Sequence, residues 1–364
     1  MTDTQVTVKP LSEFQIALRT FRKDKIAVWC VRILALLYFS AIFADFLSPY
    51  SYKNEQRQYS YCPPTPVFFF DKGKPVWPYV KDIDQTRDQY LKRIYQFKDD
   101  QKYKIQFFVK GDEYKLLGFI PMDRHLFGTE EGGRLYLIGA DSRGRDLFSR
   151  ILYGGRVSLF IGLVGVAISY SIGLIVGGIS GYYSGRVDNI LMRICEMVMM
   201  IPGFYLMLAL ISTIPDNYNT VQTFFFIVFI LSFIGWAGLA RVIRGMCLSL
   251  RERDYVLAAK TMGVNDFKII LRHILPHTIS YSVFAVMLSI PGYILGESAL
   301  SLLGLGIEDP HASWGNLLSD AMTIVRINAY PWILWPAFFI FLTVVCFNVI
   351  GNALRDSLDP MMKS

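Results

Sequence analysis

The chain has 364 residues, of which 53% are hydrophobic and only 18% charged, with a formal net charge of +7. A soluble domain of this size carries nearer a quarter charged residues, so a mean hydropathy of +0.35 argues against an ordinary soluble domain. The positive charge sits in short turns between apolar runs, with no basic face carrying interleaved base-stacking aromatics, which argues against nucleic acid as a partner. The five cysteines (Cys30, Cys62, Cys195, Cys247 and Cys346) form no Cys-x-x-Cys pair and no disulfide framework.

A bilayer core of about 30 Å needs about 20 mainly apolar helical residues. Six runs qualify: 26–47, 157–181, 190–213, 223–245, 278–299 and 331–350. The basic stretch before the first run holds Arg19, Arg22, Lys23 and Lys25 and does not resemble a cleaved signal, so that run is expected to be a retained anchor. Between the first two runs lies a long polar stretch with a turn-rich opening, Cys62-Pro63-Pro64-Thr65-Pro66. Within it, 104–109 and 114–119 read as a hairpin around Gly111-Asp112, and 83–98 as a short amphipathic helix. These predict a small α+β insertion over about 50–137. In the second run Gly173, Gly177 and Gly181 share one helix face and permit close helix approach. The third run starts with Arg193 and Glu196, and Pro202 is expected to kink it.

Orientation follows from the loops. Arg241, Arg244, Arg251, Arg253, Lys260, Lys268 and Arg272 cluster between runs four and five, whereas the loop around Asp216 has no Lys or Arg. The positive-inside bias puts the basic loop and, with six spans, both termini in the cytoplasm. The segment 248–277 reads as a helix over 248–262 stopped at Gly263. A second helix, capped by Asn265 or Asp266 and running over 267–274, ends at Pro276. The small residues Ala258 and Ala259 of the first helix suit insertion into a partner's groove.

Catalytic signals are absent. There is no phosphate-binding Gly-x4-Gly-Lys-Ser/Thr loop and no Gly-x-Ser-x-Gly elbow. His273 and His277 have a zinc-pair spacing but enclose Pro276 and lack a following Glu. His125 with Asp123 in the insertion is too little for an enzyme. Glu196 and Glu297 are the main intramembrane charges that an ATP-independent transporter or channel, the alternative reading, would use.

Ala258-Ala259, Gly263 and Leu275-Pro276 resemble the "EAA" signature of ABC importer permeases, with Leu257 where the family has Glu and His273 where it has Ile. Four further segments resemble the C-type subunit of oligopeptide, dipeptide and nickel permeases. They are Gly139-Ala-Asp-Ser-Arg-Gly-Arg-Asp-Leu-Phe-Ser-Arg150, Gly181-Tyr-Tyr-Ser-Gly-Arg-Val-Asp188, Glu297-Ser-Ala-Leu-Ser-Leu-Leu-Gly-Leu-Gly306 and Asn348-Val-Ile-Gly-Asn-Ala-Leu-Arg-Asp-Ser-Leu-Asp-Pro360. The match covers nearly everything outside 50–137, and the insertion points to the YejE-like branch.

The resemblance implies an all-α transmembrane bundle of six helices with an external α+β insertion. It divides the chain into a cytoplasmic segment 1–25, helix one at 26–47, a periplasmic insertion at 48–156, a permease core at 157–350 with a cytoplasmic coupling loop 246–277, and a cytoplasmic tail 351–364. It further implies a multi-pass protein of the bacterial inner membrane that imports peptides. Its implied partners are membrane lipid, a homologous permease in a heterodimer, ABC ATPase subunits and a periplasmic substrate-binding protein. ATP and Mg are expected on the ATPase subunits and no cofactor on this chain. The coupling residues implied are Tyr255, Leu257, Ala258, Ala259, Gly263, Leu275 and Pro276. Arg143, Arg145, Asp146 and Glu297 are candidates for external or pathway contacts, or for structural ion pairs.

Overall fold

The computed structural model describes residues 13–87, 89, 93–213 and 219–358. The loop around Asp216 and both chain ends lie outside them. A short helix α1 (Glu13–Lys23) leads into α2 (Lys25–Ile42) and α3 (Ala44–Leu47). Asp24 starts α2 by accepting from the backbone N–H of Ile26 and Ala27 at 2.9 and 3.1 Å, which satisfies donors that the first helical turn leaves unpaired. The membrane core follows as α4 (Leu147–Tyr183), α5 (Gly185–Met200), α6 (Gly203–Ile211), α7 (Thr220–Leu250), α8 (Asp254–Thr261), α9 (Asp266–Ile269), α10 (Ile279–Leu302), α11 (Trp314–Leu317), α12 (Ile324–Ala329) and α13 (Trp335–Leu358).

Among the described residues, five helices are long and apolar enough to cross a membrane, and the pair α5 and α6 makes a sixth crossing if taken as one. That pair is bent by 82°. The cause is local: Ile201 and Pro202 are both extended, with ψ of 125° and 115°, and proline offers no N–H to continue the ladder. The kink expected at Pro202 is therefore a full break. Helix α4 has 37 residues, or about 55 Å at 1.5 Å per residue. It begins at Leu147, ten residues before the expected start of the second run, and extends beyond a core of about 30 Å.

The insertion differs from expectation. It holds a four-stranded antiparallel meander in the order β1 (Phe68–Asp71), β2 (Lys74–Arg87), β3 (Arg93–Leu116) and β4 (Ile120–Thr129). The helix expected over 83–98 is instead a strand pair, Ile83 opposite Phe97 and Gln85 opposite Tyr95. Around Arg93–Lys98 exposed and partly buried residues alternate, the period of a strand and not of a helix. The hairpin turn is also displaced. Gly111-Asp112 lies inside β3, where the register against β4 shifts between Lys110 and Tyr114. The chain reverses at 117–119, with Leu117 and Gly118 at φ 55° and 86°. Apart from one short 3₁₀ turn (Arg57–Tyr59), the described insertion is β and not α+β.

The bundle core joins Leu159, Ile161 and Val166 of α4 to Ile227 and Ile230 of α7, Ile290 and Ile294 of α10 and Phe347 of α13. Helices α4 and α7 pack almost backbone to backbone. A Cβ at Gly177 would lie 2.5 Å from the Ala240 carbonyl oxygen and 2.8 Å from Ile243 Cβ. At Gly181 it would lie 2.5 Å from Cys247 Cβ and 2.6 Å from the Arg244 oxygen. The glycine row seen in the sequence is thus a helix-packing surface. Gly177→Leu is expected to force the two helices apart and cost at least about 1–3 kcal/mol, whereas Gly245→Leu, whose Cβ meets nothing within 4 Å, is expected to be tolerated. Thermal melting of the two purified variants in detergent compares them directly.

Candidate functional site

The segment between α7 and α10 forms a compact knob. Helix α7 continues to Leu250 and a turn at 251–253 separates it from α8, so the helix expected over 248–262 begins only at Asp254. Its end follows the expectation. Gly263 sits at φ +75°, Val264 N–H donates to the Ala259 carbonyl at 3.1 Å and Gly263 N–H to that of Lys260 at 3.0 Å. This is the Schellman pattern, which needs a left-handed residue where glycine is least strained. Asn265 caps α9 by accepting from Phe267 N–H at 2.9 Å. Beyond α9 the chain passes through a π segment (Ile270–Ile274) and a 3₁₀ turn (Leu275–Thr278) directly into α10. Pro276 lies at the start of that 3₁₀ turn, where a missing N–H costs little, so it does not end the helical path.

Val256, Ala259, Ile269, Ile270, Ile274 and Leu275 face inward onto Ile243 and Cys247 of α7. Tyr182 of α4 donates to Asp266 at 2.6 Å. A Cβ at Gly178 of α4 would already touch Ile270 and Leu275 at 3.2 and 3.3 Å. The knob is therefore fixed to α4 and α7. The outward face carries Tyr255, Leu257, Ala258, Met262, Gly263, Phe267 and Leu271. Met262 is 75% exposed and Phe267 63%, a large exposure for apolar side chains outside a bilayer. The seven expected coupling residues thus divide. Tyr255, Leu257, Ala258, Gly263 and Pro276 are exposed, whereas Ala259 and Leu275 are buried supports. Met262, Phe267 and Leu271 complete the face and carried no motif signal.

At the opposite end, Arg143, Arg145 and Asp146 belong to a charge cluster. Arg145 is 3% exposed. It donates through Nε to Asp141 at 2.7 Å and through both terminal nitrogens to Asp309 at 3.0 and 3.2 Å. Arg150 joins Asp309 at 2.8 Å. Arg143 bonds Glu55 at 2.9 Å and lies 3.3 Å from Asp309. Burial raises the Asp309 carboxyl, but Arg145 and Arg150 together outweigh it and hold the group below its ordinary value; the hydrogen bond from Arg143 likewise lowers Glu55. Of the three flagged residues only Arg143 keeps substantial exposed surface. Asp146 is the N-cap of α4, accepting from Ser149 N–H at 2.8 Å and Ser149 Oγ at 2.6 Å. Asp141 and Arg150 lie in the same motif segment, but Glu55 and Asp309 were not singled out as partners, because pairing across 88 to 164 positions leaves no local pattern.

Glu297 of α10 is fully buried. It accepts from Ser158 Oγ of α4 at 3.0 Å and Ser301 Oγ at 2.7 Å. Ser158 Oγ in turn accepts from Trp314 N–H at 3.0 Å. The carboxylate thus ties α4, α10 and α11 together through serines, and no cation pairs with it among the described residues. Glu196 on α5 pairs with Arg193 at 3.0 Å.

Residues 173–364 match the model of the binding-protein-dependent transport system inner membrane component. Residues 12–64 match the N-terminal TM domain of oligopeptide transport permease C. The chain belongs to the binding-protein-dependent transport permeases. It is 38% identical over 243 residues to the dipeptide transport system permease protein DppC of Bacillus subtilis, covering 67% of this chain and 71% of that one. It is 43% identical over 234 residues to the oligopeptide transport system permease protein OppC of Haemophilus influenzae, covering 64% and 72%. The OppC of Bacillus subtilis aligns at 30% identity over 99% of this chain and 93% of its own, so that alignment runs through the insertion as well. As a permease of this family the protein is a multi-pass inner-membrane transport component and not an enzyme, and ATP hydrolysis belongs to separate ATPase subunits.

The capping carboxylate of the permease gives a pH test. Burial pushes Asp146 up to about 6 against its two Ser149 hydrogen bonds, and its Oδ1 has no hydrogen-bond partner. A carboxyl with a folded pKa above its unfolded value binds a proton on folding. Its ionisation therefore removes stability as pH rises from about 4 to about 6. Asp146→Asn keeps a capping oxygen and abolishes this titration. Relative to the variant, the wild type is expected to lose on the order of 3 kcal/mol between pH 4 and pH 7, read as a pH-dependent difference in melting temperature.

Proposed function

We propose that this chain is one of two homologous permease subunits that together form the conduit of an ATP-driven peptide importer. The relatives named above are peptide permeases, and the family is defined by dependence on a binding protein. The observation that supports the coupling role best is the knob at 254–278. It joins an exposed apolar face to a rigid inner face, at the end of the bundle richest in Arg and Lys. In this reading the knob and both termini lie in the cytoplasm and the β insertion lies outside. Two ATPase subunits, which hold ATP and Mg, receive Tyr255, Leu257, Ala258, Met262 and Phe267 in a groove. Their closure on ATP pushes the knob, and the attached α4 and α7 tilt the bundle between outward and inward openings. A periplasmic binding protein delivers the peptide to the outer mouth.

Arg143 and the insertion sheet stand at that outer mouth, and we assign them contacts with the binding protein or the partner permease. The support is positional. The buried His125 of β4 meets the Asp45 carbonyl oxygen at 3.1 Å at the end of α2–α3, so the sheet is fixed to the outer end of helix one.

Ala258 and Ala259 separate docking from folding. Ala258→Arg places a charge on the exposed face without straining the backbone. It is expected to lose the ATPase while retaining the partner permease when the tagged chain is purified in mild detergent. Ala259→Arg, directed into the knob's core, is expected to lower the yield of folded chain. If Ala258→Arg retains the ATPase at the wild-type ratio, the knob is not the docking surface.

A further inference from the structure

Midway along the bundle lies a half-open cavity of about 370 Å³, several of whose lining residues (Gly235, Leu288, Ser289 and Gly292) are exposed; the volume is at the low end of the roughly 300–1,000 Å³ typical of small-molecule sites. Its walls come from α4 (Ser169), α7 (Leu231, Gly235) and α10 (Gly292, Tyr293), and Met207 of α6 lines it as well. These positions fall near the centres of α4, α7 and α10, far from either end. The cavity lies against the 82° break in the third crossing, because Gly203, the first residue after that break, is part of its wall. None of the residues lining it is Asp, Glu, Lys, Arg or His.

Three of the four hydroxyls on the wall, those of Ser169, Ser289 and Tyr293 but not Tyr170, have hydrogen-bond partners within the chain. Ser169 Oγ donates to the Ser232 carbonyl at 2.8 Å. Tyr293 and Ser169 hydroxyls are hydrogen-bonded to one another, and since the Ser169 proton is committed, Tyr293 is the donor. Ser289 Oγ donates to the Ala285 carbonyl at 2.8 Å. An occupant therefore meets a largely apolar, uncharged wall on which Tyr170 offers one hydroxyl. A charged group would lose its hydration there without gaining a counter-ion, whereas an uncharged apolar side chain would lose nothing.

Resting on the peptide-importer reading, we infer that this cavity is a side-chain subsite of the translocation path, accepting one large apolar side chain of the passing peptide. Its volume suits one such side chain, and its lining offers no counter-charge to a peptide's charged termini. The glycines in the wall provide the space. Gly292 lies on the lining and is exposed, and a Cβ there would meet nothing within 4 Å, so this is the position at which to add a side chain.

The test uses the complete transporter in proteoliposomes, with uptake of Ala-Ala-Ala and Ala-Phe-Ala measured for wild type, Gly292→Phe and Gly292→Ala. As a control, Gly238→Phe enlarges another glycine with open space around its Cβ that is outside the cavity lining. Filling the cavity is expected to reduce Ala-Phe-Ala uptake about tenfold or more relative to Ala-Ala-Ala. Gly292→Ala and Gly238→Phe should leave that ratio within about twofold. Equal loss of both peptides, or loss of assembly, makes the cavity a packing surface and overturns the inference, as does equal retention of both. A wild-type complex that assembles and hydrolyses ATP yet takes up neither peptide fails the peptide reading itself, an outcome distinct from any change of ratio.

Discussion

The structure depends on the close contact of α4 with α7. Without side chains at Gly177 and Gly181 the two helices approach until backbone meets backbone, and neither can slide or tilt alone. The charge cluster, the cavity and the knob are all fastened to this pair. One end of α4 is capped by Asp146 and fixed through Arg150 to Asp309. Its middle forms a wall of the central cavity. Its other end carries Gly178 and Tyr182, which hold the knob. A push on the knob is therefore transmitted along about 55 Å of continuous helix without being absorbed by loose packing.

The polar groups inside the bundle serve the same end. Breaking a buried pair by removing one partner typically costs about 3–5 kcal/mol, so Arg145 and Asp141, each 4% exposed, hold the turn before α4 strongly, and the partly exposed Asp309 ties a second loop to it. Glu297 does this without a cation, using serine hydroxyls on two helices and, through Ser158, the N–H of Trp314. Such interactions fix geometry more than they add net stability, since desolvation offsets much of the gain. In a transporter that must move between two arrangements, this favours rigid-body motion of whole elements over local softening.

The crossings were legible because long apolar runs have one solution in a bilayer. The break at Pro202 was legible as a kink, though its 82° angle was not, since that depends on what α6 packs against. The knob's end was legible at Gly263 and Asn265, where cap chemistry is local. Its beginning was not, because nothing in Leu248–Leu250 distinguishes the last turn of α7 from the first turn of a new helix. The insertion was misread for a related reason. Apolar residues such as Ile83, Ile94 and Phe97 fit a helical spacing, and only the pairing of the segment's two halves with each other selects the β period. Gly111-Asp112 suggested a turn by composition, yet the chain reverses at Leu117-Gly118. Arg145 and Asp146 were visible as charged residues, but whether they face solvent depended on Asp309, far along the chain.

In the proposed role this chain is half of a conduit driven from outside itself. The most direct measurement is peptide uptake into proteoliposomes, with and without ATP, comparing the chain alone with the chain plus partner permease, ATPase subunits and binding protein. The account predicts uptake only with the full set and only with ATP. Uptake by the chain alone, down a peptide gradient and without ATP, would contradict it.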